Sequence, residues 1–286
     1  MQGTISSGIE IRPMVAAEVG FAIECAAAEG WNPGDHDAAC FFAADPDGFL
    51  VAVLDDRPVG CVSAVRYADD FGFIGLFIVV PELRGQGIGM LLWDSAMARL
   101  AGRTIGLDGV VAMQGAYAAS GFELAHRNIR YAGPVMDRPQ RVGASRPCEP
   151  GDLESVLALD ARGFGFRRTE FITAWLAQPG GGAFVHPGAD GVLGYAVSRP
   201  CREGVKIGPL FAADLDVADD LFATIARSQP QGTHLVLDVP EPHHAAVALA
   251  ERHGMAPVFE TARMYRGSDP GLPLHLVFGI TTFELG

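Results

Sequence analysis

Residues 11–131 of this 286-residue chain are echoed in the same order by residues 145–265. Arg12-Pro13 returns as Arg146-Pro147, and PVGCVSAV around Gly60 returns as VLGYAVSR around Gly194, each 134 positions on. FIGLF at Phe73 matches KIGPLF at Lys206 with a shift of 133, and Leu107-Asp108 matches Leu237-Asp238 with a shift of 130. Gly121 matches Gly254 at 133, and Tyr131 matches Tyr265 at 134. A spacing that drifts by a few residues and recovers is what two copies of one fold produce when their loops differ in length. The constraint is severe, because whatever topology one half takes must also suit the other. The boundary is expected in GPVMDRPQRVGAS, a Pro/Gly/Arg-rich stretch without apolar periodicity, giving units 1–135 and 136–286.

Each half mixes two periodicities. In the first, Met14–Glu29 reads as a helix, and FLVAVL (Phe49–Leu54) and PVGCVSAVR (Pro58–Arg66) read as a hairpin around Asp55-Asp56. FGFIGLFIVV is a buried strand. Ile88, Leu91, Leu92 and Ala96 then recur at helical spacing. TIGLDGV is another strand, Ala112–Ser120 a short helix and Phe122–Tyr131 a last strand. The expected class is α+β, each half a mixed, mostly antiparallel twisted sheet flanked by helices.

Composition removes several function classes. A net charge of −13 argues against nucleic acid, whose binding relies on Lys and Arg neutralising phosphates. The five cysteines form no CxxC pair and are odd in number, so neither a disulfide framework nor a zinc site is expected. They read as buried apolar fillers. No metal is expected. His243-His244 are adjacent on a helix and face different directions, which suits solvated surface. No basic-then-apolar leader opens the chain, and FGFIGLFIVV is too short to span a bilayer. The expectation is a cytoplasmic protein with no membrane partner.

The chemistry concentrates in VVPELRGQGIGMLL, where Gly85, Gly87 and Gly89 join a strand to a helix. Glycine costs about 0.5–1 kcal/mol in a helix relative to alanine, so three at a helix start need a reason. First-turn N–H groups lack intrahelical partners and, with the helix dipole, make an anion seat. No Lys-Ser/Thr follows, so this is not a Walker loop, and the dinucleotide fingerprint is absent as well. The residues alone leave a phosphate seat and a plain turn with a helix start both open.

FIVVPELRGQGIGMLL resembles the coenzyme A-binding signature of the GNAT N-acetyltransferase superfamily, and QGAYAASGFELA resembles the family's later motif, with Tyr117 four residues before Gly121-Phe122. The likeness covers Ile11–Tyr131. It implies acetyl-CoA as co-substrate, with Arg84, Gly85, Gln86, Gly87, Ile88, Gly89 and Met90 around its diphosphate. It also implies that Phe77, Ile78 and Val79 line the pantetheine arm where strands Gly72–Val80 and Thr104–Val110 splay apart. Val110 stands where many relatives carry asparagine. The implied reaction is direct attack of a primary amine of a small molecule on the thioester. A backbone N–H near Val79 would face the oxyanion, and Tyr117 would protonate the thiolate. The alternative reading of Tyr117 is a core tyrosine packed under the coenzyme. Trp31, Asn32 and Glu29, in the turn EGWNPGDHD, are candidate acceptor contacts, with Trp31 equally a core anchor. Glu24, Glu29, Asp35, His36 and Asp37 are the nearby base candidates, most of them expected to be surface charges.

In the second half the glycine loop is replaced by LFAADLDVADDLFA, and Ala250 stands where Tyr117 would be. Asp214, Asp216, Asp219 and Asp220 would repel a diphosphate. The second half is therefore expected to be a degenerate GNAT-like unit, packing on the first or walling the acceptor cleft. A non-catalytic acyl-CoA sensor and a protein lysine or N-terminal acetyltransferase are the alternative functions, and the chain would be a monomer or homodimer.

Overall fold

The computed structural model describes residues 8–136 and 143–286. The first half runs β1 (Ile9–Pro13), α1 (Val19–Ala28), α2 (Asp37–Ala44), β2 (Phe49–Leu54), β3 (Arg57–Tyr67), β4 (Phe71–Val79), α3 (Ile88–Arg99), β5 (Thr104–Val110), α4 (Gln114–Ala119) and β6 (Glu123–Pro134). The second repeats that order with β7 (Arg146–Pro147), α5 (Leu153–Phe164), α6 (Thr169–Leu176), β8 (Gly182–Gly188), β9 (Gly191–Pro200), β10 (Val205–Ala212), α7 (Leu215–Ser228), β11 (His234–Pro240), α8 (His244–Arg252) and β12 (Ala256–Arg266). A further short strand, β13 (Val277–Gly279), follows. The expected linker begins inside β6, and its middle, residues 137–142, lies outside the described residues, as does the N-terminal stretch 1–7.

The repeated Arg-Pro dipeptide has a physical basis. Arg12 donates to both Glu18 carboxylate oxygens at 2.8 and 2.6 Å, and Arg146 does the same to Asp152 at 2.7 and 2.9 Å. Each carboxylate also accepts a backbone N–H three residues before it, from Val15 and from Glu149. The fork ties each half's first strand to its first helical turn. Its guanidinium holds the Glu18 carboxyl down to about 2. That turn, Ala16–Glu18, is 3-10, so the helix expected over Met14–Glu29 begins as α-helix only at Val19.

α2 was not foreseen. Its residues, DAACFFAA, are apolar on nearly every side and show no amphipathic period. The reason lies in its neighbours, since Phe41 stacks on Phe49 on one side and on Trp175 of α6 on another. One apolar core thus draws on both halves, with Phe41, Phe171, Trp175 and Tyr195 all fully buried in it. Two smaller cores lie under α3 (Ile88, Leu92, Ala96) and under α7 and α8 (Leu221, Phe222, Leu249).

The strands form one sheet in the order β1-β2-β3-β4-β5-β12-β6-β11-β10-β9-β8-β7. The halves have exchanged their last strands: β12 lies against β5, while β6 lies against β11, and β12 and β6 pair with each other. The repeated Leu-Asp pair explains how this seam is pinned. Asp108 on β5 binds Arg263 on β12 at 2.6 Å, and Asp238 on β11 binds Arg130 on β6 at 2.7 Å. Both pairs are buried and bidentate, and each joins one half to the other.

In each half the central parallel pair parts after a few residues. β4 pairs with β5 only over Phe71–Ile74, and β10 with β11 only over Val205–Ile207. In the second half the gap is filled from within. β13 pairs antiparallel with β10 at Leu210↔Gly279 and Phe211↔Val277, and Ile280 N–H donates to Asp238 O at 2.9 Å. The segment passes so close to Gly208 that an added Cβ would lie 2.6 Å from the Ile280 and Thr281 carbonyl oxygens. It then crosses to the first half, where a Cβ on Gly75 would strike the Glu284 carbonyl. Gly75 and Gly208 are the glycines shared by FIGLF and KIGPLF, and only a residue without Cβ fits under this segment. His243 holds it too: its ring nitrogen lies 3.0 Å from Val277 O and its ring packs on Phe278. His243 is therefore half-buried rather than solvated, whereas His244 is exposed.

Candidate active site

In the first half the gap between β4 and β5 stays open and forms a cavity of about 340 Å³. β4 is bulged at its mouth: Leu76 sits at φ 47°, and three steps on β4 answer two on β3. The bulge shifts the phase of the strand's alternation, since Phe71 and Phe73 before it join the core beneath α1. Leu76 and Ile78 both join the core beneath α1, whereas Phe77 and Val79 face the α3 side. Phe77, Ile78 and Val79 all line the cavity. Val110 lines it from β5.

The glycine loop turns through left-handed backbone. Gly85 and Gly87 lie at φ 76° and 92°, and a Cβ on Gly85 would meet open space. Gly87 is the N-cap of α3, and no side chain caps this helix start. The equivalent start of α7 is closed instead by Asp214, which accepts the Val217 N–H at 3.0 Å. A protein carboxylate thus takes the place that a phosphate oxygen could have used. Gly89 lies beside Phe77, Ile88 is buried beneath the loop, and Met90 is exposed. Gln86 donates weakly to Glu82 O at 3.4 Å. The Arg84 guanidinium donates to Val79 O at 2.8 Å and forms an ion pair with Glu29, which ties the loop to the end of α1.

Tyr117 reaches the cavity from α4, under Gly109 and beside Trp93, with ring centroids 5.7 Å apart. Burial raises its phenol pKa, so the hydroxyl stays protonated at neutral pH. Trp31 and Glu29 also line the cavity, and the Trp31 carbonyl accepts from Arg130 at 2.7 Å. Asn32 does not join them. Its amide is turned to the second half, donating to Glu203 O at 3.1 Å and accepting from Glu203 N at 2.9 Å. Of the other charges near the turn, Asp35 and His36 are exposed and Glu24 pairs with Arg202. Asp37 is no surface charge: it is 1% exposed and bound to Arg199 of the second half at 2.9 Å.

The second half supplies a wall that motif reading missed: Phe259 and Thr261 from β12, and Phe283 and Glu284 from the segment after β13. No local pattern marks these residues, because the strand exchange and the long return of the chain bring them there. Among the described residues no group of three or more His, Cys, Asp or Glu side chains is placed to hold a metal, and no helix is long and apolar enough to cross a membrane.

The geometry can be set beside known proteins. Residues 19–122 match the acetyltransferase (GNAT) family and residues 156–279 an acetyltransferase (GNAT) domain. Holothin acyltransferase of Pseudoalteromonas sp. (strain SANK 73390) is 31% identical over 263 residues, covering 92% of this chain and 90% of that protein. Among solved structures, a candidate acetyltransferase of Pyrococcus horikoshii superposes with a TM-score of 0.82 at 23% identity, covering 100% of this chain and 99% of that one. A tandem GNAT protein from the clavulanic acid biosynthesis pathway gives 0.62 at 17% identity, covering 91% and 99%. The chain belongs to the GNAT acyltransferase superfamily and carries two GNAT domains in tandem.

Proposed function

We propose that this protein is an acetyl-CoA-dependent N-acetyltransferase for the primary amine of a small molecule. In this reading residues 1–135 bind the coenzyme, and residues 136–286 form a coenzyme-free partner that walls the acceptor side. The observation that carries it is the contrast between the two gaps. In the first half the parted strands are open and lead to an uncapped helix start. In the second, the gap is filled by β13 and the helix start is capped by Asp214.

Backbone N–H groups from Gly85 to Met90 seat the diphosphate, and Phe77, Ile78 and Val79 flank the pantetheine arm. The amine attacks the thioester carbonyl directly, with a backbone N–H of bulged β4 near Val79 facing the oxyanion. Tyr117, kept protonated by burial, supplies the proton to the departing thiolate. Trp31 and Glu29 contact the acceptor; Asn32, turned to the other half, drops out of the set. A wall contributed by the second half favours a small acceptor over a polypeptide, which needs an open groove. The match to an acyltransferase along most of both chains supports transfer over mere binding.

The test is calorimetric titration of acetyl-CoA into wild type and Gly87→Glu, followed by thiol release with a panel of amines. One-site binding by wild type, lost in the variant, is expected, because the substitution adds a side chain and a charge at φ 92°. Absence of wild-type binding would overturn the assignment. Binding without turnover would make the chain an acyl-CoA sensor.

A further inference from the structure

Three carboxylates face the cavity: Glu29, Asp108 and Glu284. Two are already paired. Glu29 is bound by Arg84, and Asp108 accepts from Arg263 at 2.6 and 2.9 Å and from Asn128 at 2.8 Å. Glu284 is different. It is 4% exposed, yet its Oε1 has no hydrogen-bond partner among the described residues. Thr261 Oγ1, on the same wall, is also buried and unpartnered. Buried polar atoms left without partners cost about 1–3 kcal/mol each, and here two belong to residues that line one cavity, where a ligand can complete them.

The position suits the chemistry. The Glu284 backbone crosses Gly75 one residue beyond the last β4–β5 pair, at the point where the strands part. Ser63, whose neighbours Val62 and Ala64 face α3, points the other way and donates to Glu284 O at 3.4 Å. Glu284 therefore lies on the sheet face opposite α3, across the parted strands from the helix whose start would hold the coenzyme. The charges around it are Arg130 of β6, Arg199 of β9, Lys206 of β10 and Asp37 of α2, with Asp238 of β11 bound to Arg130. Three cations meet two anions there, and an ionised Glu284 balances the set.

We infer that Glu284 is the general base that receives the acceptor's primary ammonium, with Thr261 as its second contact to that nitrogen. The inference rests on the acetyl-transfer reading above. The ammonium N–H breaks and its proton passes to the Glu284 carboxylate, freeing the nitrogen lone pair. That pair forms the C–N bond as the thioester carbonyl opens. The C–S bond then breaks, the thiolate takes the Tyr117 proton, and the nitrogen's surplus proton restores the phenol. Glu284 returns its proton to solvent, so one amide, one thiol and one proton leave the site. Burial raises the Glu284 pKa, against the pull of Lys206, Arg130 and Arg199, which brings a carboxylate toward the working range of a base. Lys206, pushed by the same burial down to about 8, donates to Asn32 O at 2.6 Å.

Glu284→Gln keeps the shape and removes the base. The path of the segment does not depend on the free oxygen, because Thr282 Oγ1 already accepts the Glu284 and Leu285 N–H groups. With an amine that wild type acetylates, kcat/KM is expected to fall about 10²–10⁴-fold while acetyl-CoA affinity stays unchanged. Wild-type kcat/KM should decline as pH drops through the raised carboxyl pKa, and this acid limb should vanish in the variant. Glu284→Ala should regain activity on addition of formate, which a merely structural role would not permit. Should the glutamine variant fail to fold, formate rescue of the alanine variant decides instead. Near-wild-type kcat/KM with the acid limb intact, or no rescue, overturns the base. Failure of wild type to bind acetyl-CoA or to turn over any amine overturns the functional reading and the role of Glu284 together.

Discussion

The sequence points to Tyr117 and the three loop glycines because the roles proposed for them are local. A strand end, a tight turn and a helix start lie within a dozen residues, and glycine at positive φ leaves a mark that side-chain substitution would erase. Glu284 and Thr261 left none, since each sits in an ordinary stretch and gains meaning only from what folding brings opposite it. The two roles separate experimentally. Tyr117→Phe should lower kcat for thiol release about 10²–10⁴-fold with little change in acetyl-CoA affinity, measured by single-turnover kinetics and calorimetry. The sign of its pH dependence follows from burial: the phenol pKa lies above its ordinary value of 10, so the acid form is present throughout the neutral range. The loss in Tyr117→Phe should accordingly be uniform across neutral pH, unlike that of Glu284→Gln. A phenylalanine variant with unimpaired kcat would return Tyr117 to the role of a packing residue beside Trp93.

Among the elements, those with a clean period were readable and those buried on several sides were not. β2 and β5 lie where alternation and apolar runs put them, and α3 where the 3.6 spacing does. α2 was hidden by its own burial, and β13 is only three residues long, with nothing in VFG to reveal a strand slotted into the gap of its own half. Yet β13 carries the chain from the second half's gap to the first half's cavity, where Glu284 lies. Phe278 anchors it, 1% exposed and packed against the His243 ring at 4.4 Å. Phe278→Ala should cost about 3–5 kcal/mol in denaturant unfolding. It should also depress acetyl transfer by loosening Glu284, while acetyl-CoA binding to the α3 loop persists. Full activity in a destabilised Phe278→Ala protein would show that Glu284 needs no anchoring from β13.

At the scale of the whole molecule, the duplication was plain in the sequence but the exchange of last strands was not, because a strand's pattern does not say which copy of the sheet it joins. Two buried pairs, each using an aspartate of the repeated Leu-Asp, span the exchanged strands: Asp108 with Arg263, and Asp238 with Arg130. Each aspartate had an arginine of its own half available in the last strand, and each binds the other half's instead. Removing one partner of a buried pair leaves an uncompensated charge and costs about 3–5 kcal/mol. Because the pair spans the seam, that cost should fall on both halves at once. Arg263→Ala should lower native-state hydrogen-exchange protection of slowly exchanging amides by the same factor, about 10²–10⁴, in β3 of the first half and β9 of the second. Heat should still unfold it in one transition whose calorimetric and van't Hoff enthalpies agree. Loss of protection confined to β3 and β5, or two resolved transitions, would mean that the halves fold as separate units and that the exchanged strands merely dock them. Equal loss across the seam would mean that the second half, whose own gap is filled by β13, is inseparable from the stability of the first.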